Sequence, residues 1–114
     1  MIKYLHYRKV EEGVPQPKGG VTIAYEVRSH SIVEDDVKYA YAYCSRDDNF
    51  SRPRGREIAT NRLQDRYHSE LMAINNGKHF PLYMDGIMRA RFGLERRRKR
   101  VPVVEPITND GPPF

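Results

Sequence analysis

Two runs of the chain alternate with a period of two. In Val21-Thr22-Ile23-Ala24-Tyr25-Glu26-Val27-Arg28, the residues Val21, Ile23, Tyr25 and Val27 share one side, and Thr22, Ala24, Glu26 and Arg28 share the other. That is the side-chain period of a strand, and one apolar side beside a mixed one predicts a half-buried antiparallel strand. In Val37 to Cys44, Val37, Tyr39, Tyr41 and Tyr43 face one way and Lys38, Ala40, Ala42 and Cys44 the other. The small face suits close approach of a helix. The tyrosine face is either covered by another layer, where Tyr–aliphatic pairs are ordinary sheet packing, or an open aromatic platform of Tyr39, Tyr41 and Tyr43 on which bases stack. Ile2 to Val10 is a shorter strand, with Ile2, Tyr4 and His6 opposite Lys3, Leu5 and Tyr7.

The connections are marked by composition. Glu11 to Gly20 holds Gly13, Pro15, Pro17, Gly19 and Gly20 and reads as a loop. Ser29 to Asp36 is polar and ends in the acidic trio Glu34-Asp35-Asp36, as a long hairpin loop would.

After Cys44 the period changes. Asn49 or Ser51 suits a helix cap, Pro53 falls in the first turn, and Ala59, Leu63, Tyr67 and Leu71 recur every four residues. The spacing predicts a long helix over 52–74, stopped by Asn75-Asn76-Gly77. His79 to Leu82 is a connector. Leu82 to Phe92 forms a second, shorter helix with Met84, Ile87, Met88 and Phe92 as its apolar side, ended by Gly93 or continued through Leu94 into a basic run. Four prolines and a glycine follow Val101, so the end of the chain reads as an extended tail. The expected fold is α+β. A three-stranded antiparallel meander carries one long helix on the small face of its third strand, with a second shorter helix and an extended C-terminal tail. Residues 1–95 form one domain, and 96–114 hold the basic run and the Pro-rich tail.

At 114 residues, one modest core is affordable without disulfides, and the single cysteine, Cys44, excludes an internal one. Met1 to Tyr7 lacks the pattern of a signal peptide, and no apolar run approaches the roughly 20 residues that span a bilayer. The expectation is a soluble, cytoplasmic protein with no membrane partner. Charge divides unevenly. Residues 1–50 hold seven Lys/Arg against eight Asp/Glu, whereas residues 51–100 hold thirteen against five. A basic half is expected where a chain meets a polyanion, although basic helices are also common on plain soluble domains.

Three features carry candidate chemistry. Arg52, Arg54 and Arg56 sit at a helix start, where guanidinium forks and free backbone N–H groups suit phosphate; Arg62 and Arg66 follow on the same helix. The competing reading pairs Arg52, Arg54 and Arg56 with Asp47, Asp48 and Glu57, as ion pairs that fix a strand–helix junction. Arg96-Arg97-Arg98-Lys99-Arg100 is a second cationic run, either a polyanion contact or a helix end favoured by the dipole. Asp35-Asp36 and Asp47-Asp48 are paired carboxylates on which a divalent-metal site is conceivable, but no third ligand is in view. His6, His30, His68 and His79 lack metal-ligand spacing, and no cofactor or resident metal is expected.

The segment from Tyr43 to Ala59, in which Asp48-Asn49-Phe50-Ser51-Arg52 leads into Gly55-Arg56-Glu57-Ile58-Ala59, resembles a pattern in small uncharacterised bacteriophage proteins. The resemblance implies a viral accessory protein in the host cytoplasm and supplies no catalytic residues. The expectation is therefore a non-enzymatic protein that binds and modulates, by inhibition, a host nucleic-acid-processing or defence complex through its basic surface. The alternative is direct binding of DNA or RNA. The second alternative is a metal-dependent nuclease using Asp35, Asp36, Asp47 or Asp48.

Overall fold

A computed structural model describes residues 1–29 and 34–96. The elements run in the order β1 (Lys3–Glu11), β2 (Val14–Pro15), β3 (Lys18–Ser29), β4 (Asp35–Asn49), α1 (Arg52–Gln64), β5 (Glu70–Ile74), α2 (Phe80–Phe92) and β6 (Leu94–Arg96). All strand pairs are antiparallel. The sheet order is β2-β1-β3-β4-β5, with β6 also paired to β1. The α+β class and the β1–β3–β4 meander agree with the sequence pattern. The sheet, however, has six strands rather than three, and the two helices are equally long at 13 residues each.

The sheet separates two cores. On one face Leu5, Tyr7, Val21, Ile23, Tyr25, Val37 and Tyr39 pack with Phe80, Met84 and Met88 of α2. On the other, Ala24, Ala40 and Ala42 receive Ala59 and Leu63 of α1. The small face of β4 does accept a helix. The tyrosine face is covered by α2 at Val37 and Tyr39 but not at Tyr43, and the Phe80 ring lies 4.8 Å from Tyr25 and 5.4 Å from Tyr39 between centroids. Burying each of the large α2 side chains contributes about 1.5–3 kcal/mol.

The helix expected over 52–74 stops at Gln64. Asp65 adopts an extended backbone, and its carboxylate accepts from Tyr67 N at 2.9 Å and contacts His68 Nδ1 at 2.6 Å. A side chain that satisfies backbone N–H groups locally competes with helix continuation. Glu70–Ile74 then pairs with Asp35–Tyr39 as β5. Tyr67 and Leu71, expected on the core stripe, are 81% and 68% exposed. α2 begins two residues earlier than expected, at Phe80, and ends at Gly93, whose φ of 64° is the left-handed stop expected of that glycine. Leu94 turns into β6 and does not prolong the helix.

Gly55 and Gly77 are each demanded by contact. A Cβ on Gly55 would overlap Thr22 Oγ1, so the amino end of α1 lies directly on β3. A Cβ on Gly77 would overlap Val27 Cγ1, and the Gly77 N–H donates to Asp35 Oδ2 at 2.7 Å.

Candidate functional site

The start of α1 is held by packing. Ser51 caps the helix by accepting from Arg54 N, and Phe50 N donates to Pro17 O at 2.8 Å. The Phe50 ring covers Gly20 and meets His6 edge-on at 5.8 Å. Between Lys18 and Gly20 the β3–β4 register shifts: Lys18 faces Asn49 whereas Gly20 faces Cys44, so Ser45–Asp48 stand out of the ladder. The ion pairs expected from Arg52, Arg54 and Arg56 to Asp47, Asp48 and Glu57 do not form among the described residues.

The three arginines do not converge on one point. Alternate positions on a helix are about 200° apart, whereas positions four apart share a face. Arg54 lines a hollow of about 380 Å³ together with Asp48, Phe50, Gly55 and Ile58, beside Cys44 on β4. Cys44 Sγ donates to the carbonyls of Asp48 and Asn49 at 3.5 and 3.6 Å. Arg52 lines a second hollow of about 300 Å³ with His6, Arg8, Glu95 and Arg96. Phe50 lies between these environments, with Arg8 Cζ 5.5 Å from its ring centroid.

His6 reports the local charge. Its Nδ1 lies 2.9 Å from Thr22 Oγ1. Burial, then the cations of Arg52 and Arg56, lower its pKa from 6.5 to about 4. Arg62 donates to Tyr41 O at 3.0 Å, and Arg66 lies past the end of α1 over the Tyr67 ring at 5.2 Å. None of these five arginines makes a salt bridge with a described carboxylate.

Arg96 is different from what the sequence suggested. It pairs with Asp85 at 2.9 Å, and Tyr7 OH donates to the other oxygen of that carboxylate at 2.8 Å. Burial, followed by the Asp85 carboxylate, pushes the Tyr7 hydroxyl well above its ordinary pKa. Arg96 is thus a structural link between β6 and α2. Arg97, Arg98, Lys99, Arg100 and the tail lie outside the described residues.

The aromatic platform is not open. Tyr39 is buried beneath α2 with its pKa raised by burial and by Tyr41, Tyr41 is half-buried, and Tyr43 alone is exposed. The two carboxylate pairs lie on either side of the regularly paired stretch Val37–Cys44, which spans roughly 25 Å at the rise of an extended strand. They cannot share a metal, and no group of three His, Cys, Asp or Glu suited to one occurs among the described residues. No helix of the described residues is long and apolar enough to cross a membrane.

Sequence reading missed His6, Arg8, Phe50 and Asp85. The alternation of β1 puts His6 on the face that α1 later covers, but nothing local links it to Arg52, 46 positions away. Comparison with protein-family models, curated proteins and solved structures returns no match.

Proposed function

We propose that this protein is a non-enzymatic accessory protein that binds and modulates a nucleic-acid-processing or defence complex of a host cell, using α1 as its contact element. The observation that carries this reading is the set of five arginines at positions 52, 54, 56, 62 and 66, none of them neutralised by a salt bridge to a described carboxylate although acidic residues are near in sequence. Arginines without a carboxylate partner, on α1 and just past its end, are costly for self-repulsion and useful for recognising acidic or phosphate-bearing surfaces. The likeness of residues 43–59 to bacteriophage accessory proteins supports the viral setting. Affinity capture of the tagged protein from bacterial lysate, with and without nuclease, tests it. A partner protein that survives nuclease and is lost with the Arg54→Ala/Arg62→Ala double variant is expected, and capture that is unchanged in that variant would sink the reading.

Direct binding of DNA or RNA is the second reading, favoured by the helix-start position of Arg52, Arg54 and Arg56. It requires affinity that falls steeply with salt. A gel shift with no retardation of single- or double-stranded DNA or RNA at low salt removes it. The separation of the Asp pairs along β4 argues against the nuclease reading. Absence of cleavage with magnesium or manganese would close it.

A further inference from the structure

We propose that the outer edge of β5 pairs antiparallel with the same strand of a second copy of this chain, in a register centred on Met72, so that the sheet runs through a symmetric dimer. The contact goes beyond the partner-binding reading and stands without it, because it uses main-chain groups and apolar side chains of β5 and not the arginines of α1.

β5 is the last strand on its side of the sheet, and among the described residues it pairs with β4 alone. Which of its main-chain groups point away follows from β4. In an antiparallel sheet the N–H and C=O of one residue point to the same side, and alternate residues point to opposite sides. Tyr41 lies in register with Ile23 of β3, yet its carbonyl accepts from Arg62 at 3.0 Å, so Tyr41 turns its polar groups away from β3 and toward the β5 side. By alternation Tyr39 and Val37 do the same, and they face Glu70 and Met72. Glu70, Met72 and Ile74 therefore bond β4. Leu71 and Ala73 present their N–H and C=O groups outward, where no described main-chain group meets them.

An edge that stays single is ordinarily blunted by proline, lysine or a bulge. Glu70-Leu71-Met72-Ala73-Ile74 holds neither residue, and its register with β4 is regular. After Met1, the most exposed large apolar side chains of the described residues are Tyr67 and Leu71, one just before this strand and one on it. Unpaired main-chain groups call for a strand as the occupant, and the sequence of β5 is complementary to itself. Turned about Met72, Leu71 of each copy meets Ala73 of the other, large against small, and the two Leu71 side chains become diagonal neighbours on one face. Glu70, the one charge on the strand, falls opposite Ile74, so like charges do not oppose. Each contact is made twice by one patch, as a two-fold axis requires.

The dimer is weak by construction. An edge of five residues buries less than the roughly 1,200 Å² of a standard interface, and each copy carries a net charge of +5. Added salt screens that repulsion and strengthens this contact, whereas it weakens one held by arginines on an acidic surface.

The test is sedimentation of the full chain in reducing buffer, from micromolar to millimolar concentration, with hydrogen exchange followed at the Leu71 and Ala73 amides. A monomer–dimer equilibrium that tightens with salt is expected, and exchange at both amides should slow as the dimer fills. Leu71→Lys sets two cations diagonally across the axis, and Ala73→Glu two anions. Each should weaken dimerisation on the order of tenfold. Both positions are exposed, so both variants should keep the wild-type circular dichroism. Mixed together, the two variants should dimerise better than either alone, because the new cation of one lies directly opposite the new carboxylate of the other. A chain that stays monomeric at millimolar concentration overturns the proposal, whether the two amides exchange freely, as on an open edge, or slowly, as under another segment of the same chain. A dimer indifferent to both substitutions overturns it as well, by placing the contact elsewhere.

Discussion

Thr22 joins three structural decisions through one hydroxyl. It is fully buried, it bonds His6, and it sits where a side chain on Gly55 would have to go. Replacing an interior helix glycine by alanine ordinarily stabilises by about 1 kcal/mol. Here the overlap with Thr22 reverses the sign, and Gly55→Ala is expected to lose about 1–3 kcal/mol in denaturant unfolding. Part of that loss should return in the Gly55→Ala/Thr22→Ala double variant; a stabilised Gly55→Ala protein would refute the contact. His6 gives a second outcome at this scale. Its folded pKa of about 4 lies below the ordinary 6.5, so the unfolded chain binds the extra proton first. Stability is then full above about pH 6.5 and falls as pH drops toward 4, levelling off below. Discounted for solvent screening at a half-buried ring, the loss is roughly 1–2 kcal/mol. It should appear as a lower melting temperature at pH 4.5 than at pH 7, and His6→Asn should flatten that limb. Asp85→Asn addresses the third cluster. It leaves Arg96 without its charge partner and should lose about 1–3 kcal/mol by the same unfolding assay.

At the scale of elements, legibility followed the strength of the local pattern. β3 and the Val37–Cys44 part of β4 were readable because one face carries large apolar side chains and the other small or polar ones. α1 was readable at its start, where Ser51 and Pro53 act locally, and unreadable at its end. Leu71, Met72 and Ala73 favour helix by intrinsic preference, and the four-residue recurrence of Tyr67 and Leu71 continued the stripe of Ala59 and Leu63. What overrode it was pairing with Asp35–Tyr39, a contact over 30 residues away. Leu63→Ala should therefore lose about 2–5 kcal/mol, whereas Leu71→Ala should change stability by no more than about 0.5. Comparable losses at the two positions in chemical denaturation would restore the long helix. The candidate site was half legible. The arginines at the start of α1 were visible as a group, but the partition between two hollows depends on helix geometry and on β1, which the local spacing does not contain.

At the scale of the molecule, α1 and its arginines lie on one side of the sheet, while α2 covers the other. Neutralising Arg54 and Arg62 together should abolish partner capture without lowering the melting temperature by more than a degree or two, since neither side chain is buried. The sheet that stands between the two cores has an evolutionary consequence. Leu63 and Met84 lie on opposite faces and belong to separate clusters, so damage to one is not transmitted to the other by shared side chains. The α1 face can accumulate substitutions while the α2 face holds the fold constant. In a double-mutant cycle of Leu63→Ala with Met84→Ala, the two losses should add to within about 0.5 kcal/mol. The chain would then be two independently mutable proteins that share one backbone.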